Sequence, residues 1–273
     1  MRIHRAKTLP ARRPRPAAAR RASLWCTVVS KVAVPGVDGD LAGELFGPAG
    51  TAGAGAPAVI VVPEVDGFSE GTRAAAQRLA GAGCVALALD LYAPLGAAPA
   101  LRNREDTMAW LTRLDDRRQV SDLAQAVAWL KRFSGVDPTR IAVLGFSIGG
   151  RYAMMLATEP HGLRAVVAFY ARPWPGAAIA EVALAPGDHV DGFEVPVCAV
   201  FGAEDDLVPP EMVERFRGLM DARTGRGHEV HIVPGRHYFA NESRPRRYLQ
   251  GSADEAWAIV LAFLAEQMGP FAV

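Results

Sequence analysis

The sequence has few cysteines and no long hydrophobic runs. Its three cysteines, Cys26, Cys84 and Cys198, are odd in number and widely spaced among 273 residues, a pattern that fits neither a disulfide framework nor a CxxC metal motif. Because disulfides are rare where thiols are kept reduced, this usage favours the cytoplasm. The apolar stretches are far shorter than the ~18 residues that indicate a membrane span. We therefore expect no membrane partner.

Acidic residues are absent from the first 21 positions, which carry eight Arg or Lys. This segment has no continuous apolar core of the signal-peptide kind, and its prolines disfavour the amphipathic helix of an organelle transit peptide. We interpret residues 1–24 as a basic, disordered leader. The remaining chain carries 22 Arg or Lys against 29 Asp or Glu, so we expect no nucleic-acid partner.

Half of the residues are hydrophobic, enough for a sizeable core, and from residue 25 onward they alternate between strand-like and helix-like patterns. The strand-like runs are Thr27–Val34, Leu41–Phe46, Ala58–Val62, Val85–Leu89, Ile141–Leu144, Ala165–Tyr170, Val197–Gly202 and Glu229–Val233. The helical patterns are Glu70–Ala80, Asn103–Leu114, Val120–Phe133, Gly150–Thr158, Pro210–Met220 and Ala253–Met268. We predict a single α/β domain over residues 25–273. Its mostly parallel central sheet has about eight strands, with helices on both faces and an N-terminal antiparallel hairpin.

The pentapeptide Gly145-Phe146-Ser147-Ile148-Gly149 lies where a strand gives way to a helix. A serine hydroxyl is a weak nucleophile that must be held clear of the backbone, and a sharp strand-to-helix turn with glycine on either side achieves this. The alternative is a glycine-rich turn that only lets the helix pack closely. In this fold an acid and then a histidine follow the serine along the chain.

Acidic residues and a histidine follow later strands in that order. Glu204, Asp205 and Asp206 come just after one strand, and His237 follows the last strand. Because the carboxyl ends of parallel strands meet at one edge of the sheet, we expect these groups to face Ser147. His231, inside the last strand, is interpreted as a structural histidine.

An acyl-transfer site also needs donors for the oxyanion. The backbone amide after the nucleophile, that of Ile148, is one candidate, and the amide of Val65, in the loop after the third strand, is the other. Such chemistry requires no metal ion and no organic cofactor.

Several longer blocks resemble one known family. The chain from about residue 27 to 264 resembles the dienelactone hydrolases, a branch of the α/β-hydrolases, in the blocks "VVPEVDGFSEGTRAAAQRLAGAGCVALALDLYAP", "GFSIGGRYA", "GAEDDLVPP" and "PGRHYFANESRPR". The resemblance implies an α/β-hydrolase fold with Ser147 as nucleophile and His237 as base. It favours Asp205 over Asp206 as the acid, and it matches Glu64 to an active-site glutamate.

Two positions depart from the family pattern. Lactone-cleaving members usually carry cysteine where this chain has Ser147, so general-base help from His237 should dominate here. Asn241 stands where those enzymes can have an arginine for the substrate carboxylate, and Arg104 resembles their other anion-binding arginine. These departures leave ester hydrolysis unaffected and put a dienelactone substrate in question.

Aromatic side chains are expected around the pocket, namely Tyr92, Trp174 and Tyr238, each of which could equally be a packing residue. We predict a serine hydrolase that cleaves small carboxylic esters or lactones, acting as a monomer or homodimer. Two alternatives remain: an amide or peptide hydrolase on the same fold, and a non-catalytic member in which Arg104 and Glu64 bind a ligand.

Overall fold

The protein is built on one open sheet with the strand order β1-β2-β4-β3-β5-β6-β7-β8. This computed structural model describes residues 28–47, 55–96, 100–176 and 183–271, so the predicted leader lies outside the described residues. The strands are β1 (Val28–Gly36), β2 (Gly39–Gly47), β3 (Ala56–Val62), β4 (Val85–Asp90), β5 (Val136–Phe146), β6 (Ala165–Phe169), β7 (Val197–Gly202) and β8 (Glu229–Val233). β1 and β2 form the predicted antiparallel hairpin, and β2 also pairs antiparallel with β4. The other neighbouring strands are parallel.

Helices cover both faces of the sheet. Within the described residues they are α1 (Glu70–Gly81), α2 (Arg104–Leu111), α3 (Asp116–Leu130), α4 (Ile148–Leu156), α5 (Pro210–Ala222) and α6 (Gln250–Met268). α1 and α6 pack on one face, and α3, α4 and α5 pack on the other together with Trp110 of α2. The predicted mostly parallel α/β-hydrolase architecture is confirmed.

The central strands are apolar because both of their faces are covered. In β3, Ala58, Ile60 and Val62 point into the core with α3 and α4, whereas Val59 and Val61 point towards α1 and α6. All seven residues of β3 are buried. Such a strand shows no alternation of polar residues, as expected for a parallel sheet with helices on both sides.

The loops that leave the carboxyl ends of β3, β5, β6, β7 and β8 emerge at one edge of the sheet, which is where open α/β sheets carry their ligand sites. Each of the predicted triad residues lies in one of these loops. Within the described part of the chain, no helix combines the length and the hydropathy needed to cross a bilayer.

Candidate active site

Ser147 lies in a strained turn between β5 and α4. Its backbone has φ 52° and ψ −116°, a conformation that residues with a side chain rarely adopt. Glycines make the turn possible, because a Cβ at Gly145 would overlap the carbonyl of Gly149, and one at Gly149 would overlap the carbonyl of Pro63. The Ser147 amide donates a hydrogen bond to Phe169 of β6 at 2.9 Å. The turn therefore holds a half-buried hydroxyl at the carboxyl edge of the sheet.

A continuous hydrogen-bonded chain runs from this hydroxyl to a carboxylate. Ser147 Oγ lies 2.9 Å from His237 Nε2, and His237 Nδ1 lies 2.7 Å from Asp205 Oδ2. The other oxygen of Asp205 accepts hydrogen bonds from the amides of Leu207 at 2.8 Å and Val208 at 3.1 Å. With Nδ1 protonated, the imidazole donates to Asp205 and leaves Nε2 to accept the serine proton. His237 and Asp205 are only 1% and 4% exposed.

The three neighbouring acidic residues after β7 have different partners. Asp205 binds the imidazole, whereas the Glu204 carboxylate accepts the amide of Gly235 and the Glu204 amide donates back to the Gly235 carbonyl at 2.9 Å. Asp206 is exposed and pairs with Arg247 at 3.4 Å. Glu204 thus joins the loop after β7 to the loop that carries His237, and Asp205 alone of the three contacts the histidine.

Two backbone amides lie beside the turn. Ile148 is the first residue of α4, so its N–H has no partner within the helix. Val65 lies in the loop after β3, which packs against the start of α4 where Gly149 meets Pro63. Trp110 Nε1 donates to the Val65 carbonyl at 2.8 Å, which restrains the peptide unit that follows the Val65 amide. Among the described residues, neither the Ile148 nor the Val65 amide has a hydrogen-bond acceptor.

Glu64 is a buried carboxylate next to these groups, 4% exposed. It accepts hydrogen bonds from the Tyr170 hydroxyl at 2.7 Å, from Asn241 Nδ2 at 2.9 Å and from Arg244 Nε at 3.3 Å. Burial, and secondarily the charge of Asp66, raises the pKa of Glu64, although Arg244 and Tyr170 oppose the shift. Within the described residues Glu64 makes no hydrogen bond to Ser147 or His237.

Two tyrosine rings enclose the imidazole. The centroid of Tyr170 lies 4.9 Å and that of Tyr238 4.5 Å from the His237 ring, both in edge-to-face contact. The Arg244 guanidinium covers the Tyr238 ring at 4.1 Å and pairs with Asp66 at 2.7 Å. These contacts restrict the orientation of the ring in addition to the hydrogen bond that it donates to Asp205.

Arg244 was missed by the sequence reasoning. Asn241, at the position for which the resemblance implies an arginine, donates to Glu64, and the arginine that reaches Glu64 comes three residues later in the same loop. The signal was the Arg244 in the block "ANESRPR", which follows His237 closely.

A buried ion pair under α4 was also missed. Arg151, four residues after Ser147, donates to Asp116 Oδ2 at 2.8 Å, and the Tyr152 hydroxyl donates to Asp116 Oδ1 at 2.8 Å. The Leu184 amide adds a third donor at 2.7 Å. The pair fixes α4, and hence the turn at Ser147, to the first turn of α3. No local pattern connects residues so far apart along the chain.

The remaining predicted pocket residues lie apart from the hydrogen-bonded chain. Arg104 is exposed at the start of α2, and Tyr92 is fully buried with its ring edge-on to Trp110. Trp174 donates from Nε1 to Asp188 at 2.7 Å. The guanidinium of Arg215, on α5, lies over the Trp174 ring at 3.9 Å from its centroid. Among the described residues, none of the three contacts Ser147, Asp205 or His237 through a hydrogen bond or a ring pair. Their predicted roles in substrate binding stay predictions.

The mostly parallel sheet, the turn after β5 and the loops at its carboxyl edge define an α/β-hydrolase. Comparison with known proteins then gives the particular branch. The model of the "Dienelactone hydrolase family" matches residues 41–268, so the chain belongs to this family. The predicted family is confirmed, and the protein is a carboxylic ester hydrolase that acts on small-molecule esters or lactones.

Individual relatives agree with this assignment. A "Probable 2-oxo-3-(5-oxofuran-2-ylidene)propanoate lactonase" of Bradyrhizobium sp. is 31% identical over 208 residues, which are 76% of this chain and 83% of the relative. A "Putative carboxymethylenebutenolidase" of Salmonella typhimurium is 29% identical over 78% of each chain. The crystal structure of a "Putative Dienelactone Hydrolase" from Klebsiella pneumoniae superposes with a TM-score of 0.80 at 26% identity, covering 88% of this chain and 98% of that one.

Proposed function

We propose that the protein cleaves its ester or lactone by a serine mechanism, with Ser147 as nucleophile, His237 as general base and Asp205 as the acid that orients the imidazole. The observation that carries this proposal is the unbroken chain of contacts, 2.9 Å from Ser147 to His237 and 2.7 Å from His237 to Asp205. His237 takes the hydroxyl proton as Ser147 attacks the carbonyl carbon. The same proton then passes to the leaving alcohol, and water hydrolyses the acyl-serine.

The tetrahedral intermediate places a negative charge on the former carbonyl oxygen. We assign its stabilisation to the amides of Ile148 and Val65, which have no competing acceptor among the described residues. The N-terminus of α4 adds a favourable partial positive charge at Ile148. Preorganised donors of this kind contribute roughly 10²–10³-fold to the rate per donor. The residues of the site complete the reaction without a metal ion or an organic cofactor.

Glu64 is assigned a positioning role. Its oxygens are occupied by Tyr170, Asn241 and Arg244, so it is not the base for the serine hydroxyl. Through Tyr170 it supports one of the two rings that pack on His237. Tyr238 is the predicted substrate-binding residue nearest the imidazole and forms part of the pocket wall in this proposal.

The similarity to proteins named lactonase and carboxymethylenebutenolidase suggests a lactone as the first substrate class to test. We further propose a cytoplasmic monomer or homodimer without a nucleic-acid partner. Support comes from Cys84 and Cys198, which are free and buried, and from the excess of acidic residues after the leader.

The decisive experiment compares Ser147→Ala with Ser134→Ala, an exposed serine outside the site. Ser147→Ala should lose at least about 10³-fold in kcat for p-nitrophenyl acetate while its far-UV circular dichroism stays native. A fluorophosphonate probe should label the wild type and Ser134→Ala and leave Ser147→Ala unlabelled. Unchanged turnover in Ser147→Ala would refute the mechanism.

The same probe separates the two alternatives. A non-catalytic ligand-binding protein would show no labelling of Ser147 and no ester turnover. An amide or peptide hydrolase would be labelled, and it would turn over acyl amides measurably, whereas an esterase would cleave only the matching esters.

A further inference from the structure

Three metal-ligating side chains converge on the last two strands of the sheet, away from the triad. Cys198 on β7 is the direct cross-strand partner of Glu229 on β8, and His231 follows two residues later on the same face of that strand. One ligand atom from each, the cysteine sulfur, a carboxylate oxygen and a ring nitrogen, lies within 4.8 Å of the other two.

The cluster lies between the core and solvent. Cys198 is completely buried among residues of α6, whereas the side chains of Glu229 and His231 are each 34% exposed. It lies towards the amino ends of the strands, and the triad lies beyond their carboxyl ends. At about 3.3 Å per residue, β8 separates Glu229 from the start of the His237 loop by roughly 13 Å.

We propose that Cys198, Glu229 and His231 form a zinc-binding site that fastens the edge strand β8 to β7. Thiolate, imidazole and carboxylate are the ligands that Zn²⁺ prefers in proteins. The spacing is close to what the ion requires, because tetrahedral coordination at ordinary zinc distances separates the ligand atoms by about 3.3–3.6 Å.

The present contacts show what the ion replaces. Glu229 Oε2 and His231 Nε2 lie 2.7 Å apart and share a hydrogen bond. On binding, the zinc ion replaces this hydrogen bond with one metal–ligand bond to each of the two atoms. Cysteine binds zinc as the thiolate, so binding releases the Cys198 proton to solvent. Water takes the fourth position, on the exposed side of Glu229 and His231. Because the three ligands come from β7 and β8, the ion joins the edge strand to its neighbour outside the hydrolytic centre.

Cobalt provides the direct test, since thiolate coordination gives Co²⁺ an intense charge-transfer absorption in the near ultraviolet. The full chain without an affinity tag is stripped with a chelator and titrated with Co²⁺ and then with Zn²⁺. We expect one Co²⁺ per chain, the charge-transfer band, and its loss when Zn²⁺ displaces cobalt. Cys198→Ser should abolish the band, and His231→Gln should weaken binding at least about tenfold.

Matched controls exist elsewhere in the chain. Cys84→Ser removes the other described free, buried thiol, and His161→Gln breaks a second His–Glu pair two residues apart, 3.3 Å from His161 to Glu159. Both should bind cobalt as the wild type does. Absence of the charge-transfer band in the wild type, or equal cobalt binding by the wild type and His231→Gln, would refute the zinc site. Glu229 and His231 would then be only a hydrogen-bonded pair at the surface. Ester turnover by His231→Gln should equal that of the wild type, and its loss would contradict a site separate from catalysis.

Discussion

Three residues that contact the imidazole of His237 have strained backbone conformations. Ser147, Tyr170 and Tyr238 are the non-glycine residues with positive φ in the described part of the chain, at 52°, 39° and 72°. Such conformations each cost of the order of 1–3 kcal/mol and persist only where the surroundings enforce them. Here one residue carries the hydroxyl and the other two carry the rings that pack on the base. Their clustering at one point supports a preorganised site.

Replacing Asp205 tests the acid of the triad. Asp205→Asn removes the charge and presents an amide that no longer fixes the tautomer with Nδ1 protonated, so kcat for p-nitrophenyl acetate should fall about 10³-fold or more. The matched control is Asp206→Asn, which changes the next residue and removes only an exposed ion pair. Its kcat should stay within about twofold of the wild type. Steady-state kinetics distinguish the two, and equal losses would contradict the assignment.

The raised pKa of Glu64 predicts how stability changes with pH. Above the ordinary value of 4.5, the folded chain retains a proton that the unfolded chain releases, so the free energy of unfolding falls as pH rises through the window between 4.5 and the folded pKa. Glu64→Gln removes this titration. Relative to the wild type, the unfolding free energy of the variant should therefore increase with rising pH across that window.

Urea unfolding at several pH values measures this difference. Glu242→Gln, which neutralises an exposed glutamate, controls for the loss of one negative charge at the surface. If the unfolding free energies of the wild type and Glu64→Gln changed in parallel with pH, Glu64 would have the same pKa in the folded and unfolded chains. That result would contradict the effect of its burial.

At the scale of elements, the buried pair between Arg151 of α4 and Asp116 of α3 holds the helix that follows the serine. Arg151→Met keeps the length and the apolar stem but leaves the Asp116 carboxylate buried without a cation, which should cost about 3–5 kcal/mol of stability. Thermal and urea unfolding measure the loss. The double variant Arg151→Met/Asp116→Asn should regain part of it, because no unpaired charge remains.

An exposed pair of the same kind provides the comparison. Arg217 and Glu214 lie 3.2 Å apart on the surface of α5, and Arg217→Met should change stability by less than about 1 kcal/mol. Similar losses in Arg151→Met and Arg217→Met would show that burial does not set the strength of the inner pair.

Most elements were predictable because their apolar runs report burial directly. β7 and β8 have the predicted bounds. α3 begins at Asp116, four residues before the prediction, since its first turn is charged and its start is marked by the Asp115 cap instead of by apolar periodicity. β5 begins at Val136, because Val136 pairs with Ala56 across an irregularity in the ladder. Such pairing depends on a distant strand and leaves no local pattern.

At the scale of the whole molecule, the residues of the candidate triad could be proposed from order and loop position alone. Ser147, Asp205 and His237 each follow a strand of the parallel sheet, so the topology itself brings them to one edge. The contacts of Glu64 could not be foreseen in the same way. Its partners Asn241 and Arg244 lie about 180 positions away, and which side chain of that loop turns inward depends on packing across the finished fold.

The concentration of basic residues before the predicted domain allows its N-terminal boundary to be tested. The eight Arg or Lys of the first 21 residues precede β1, which begins at Val28, and the family match begins at residue 41. If the predicted domain of residues 25–273 is self-sufficient, the basic segment contributes to neither folding nor hydrolysis.

Deleting residues 1–24 should therefore leave kcat/KM for p-nitrophenyl acetate and the melting temperature unchanged, because the family match and the candidate triad all lie after residue 40. Any binding of the full chain to DNA in a gel-shift assay should disappear, since the remaining body is net acidic. A longer deletion through residue 38 is the control: it removes β1 and leaves β2 as an unpaired edge, so aggregation should follow. Loss of activity in the 25–273 chain would instead assign the basic segment a part in the fold or the site.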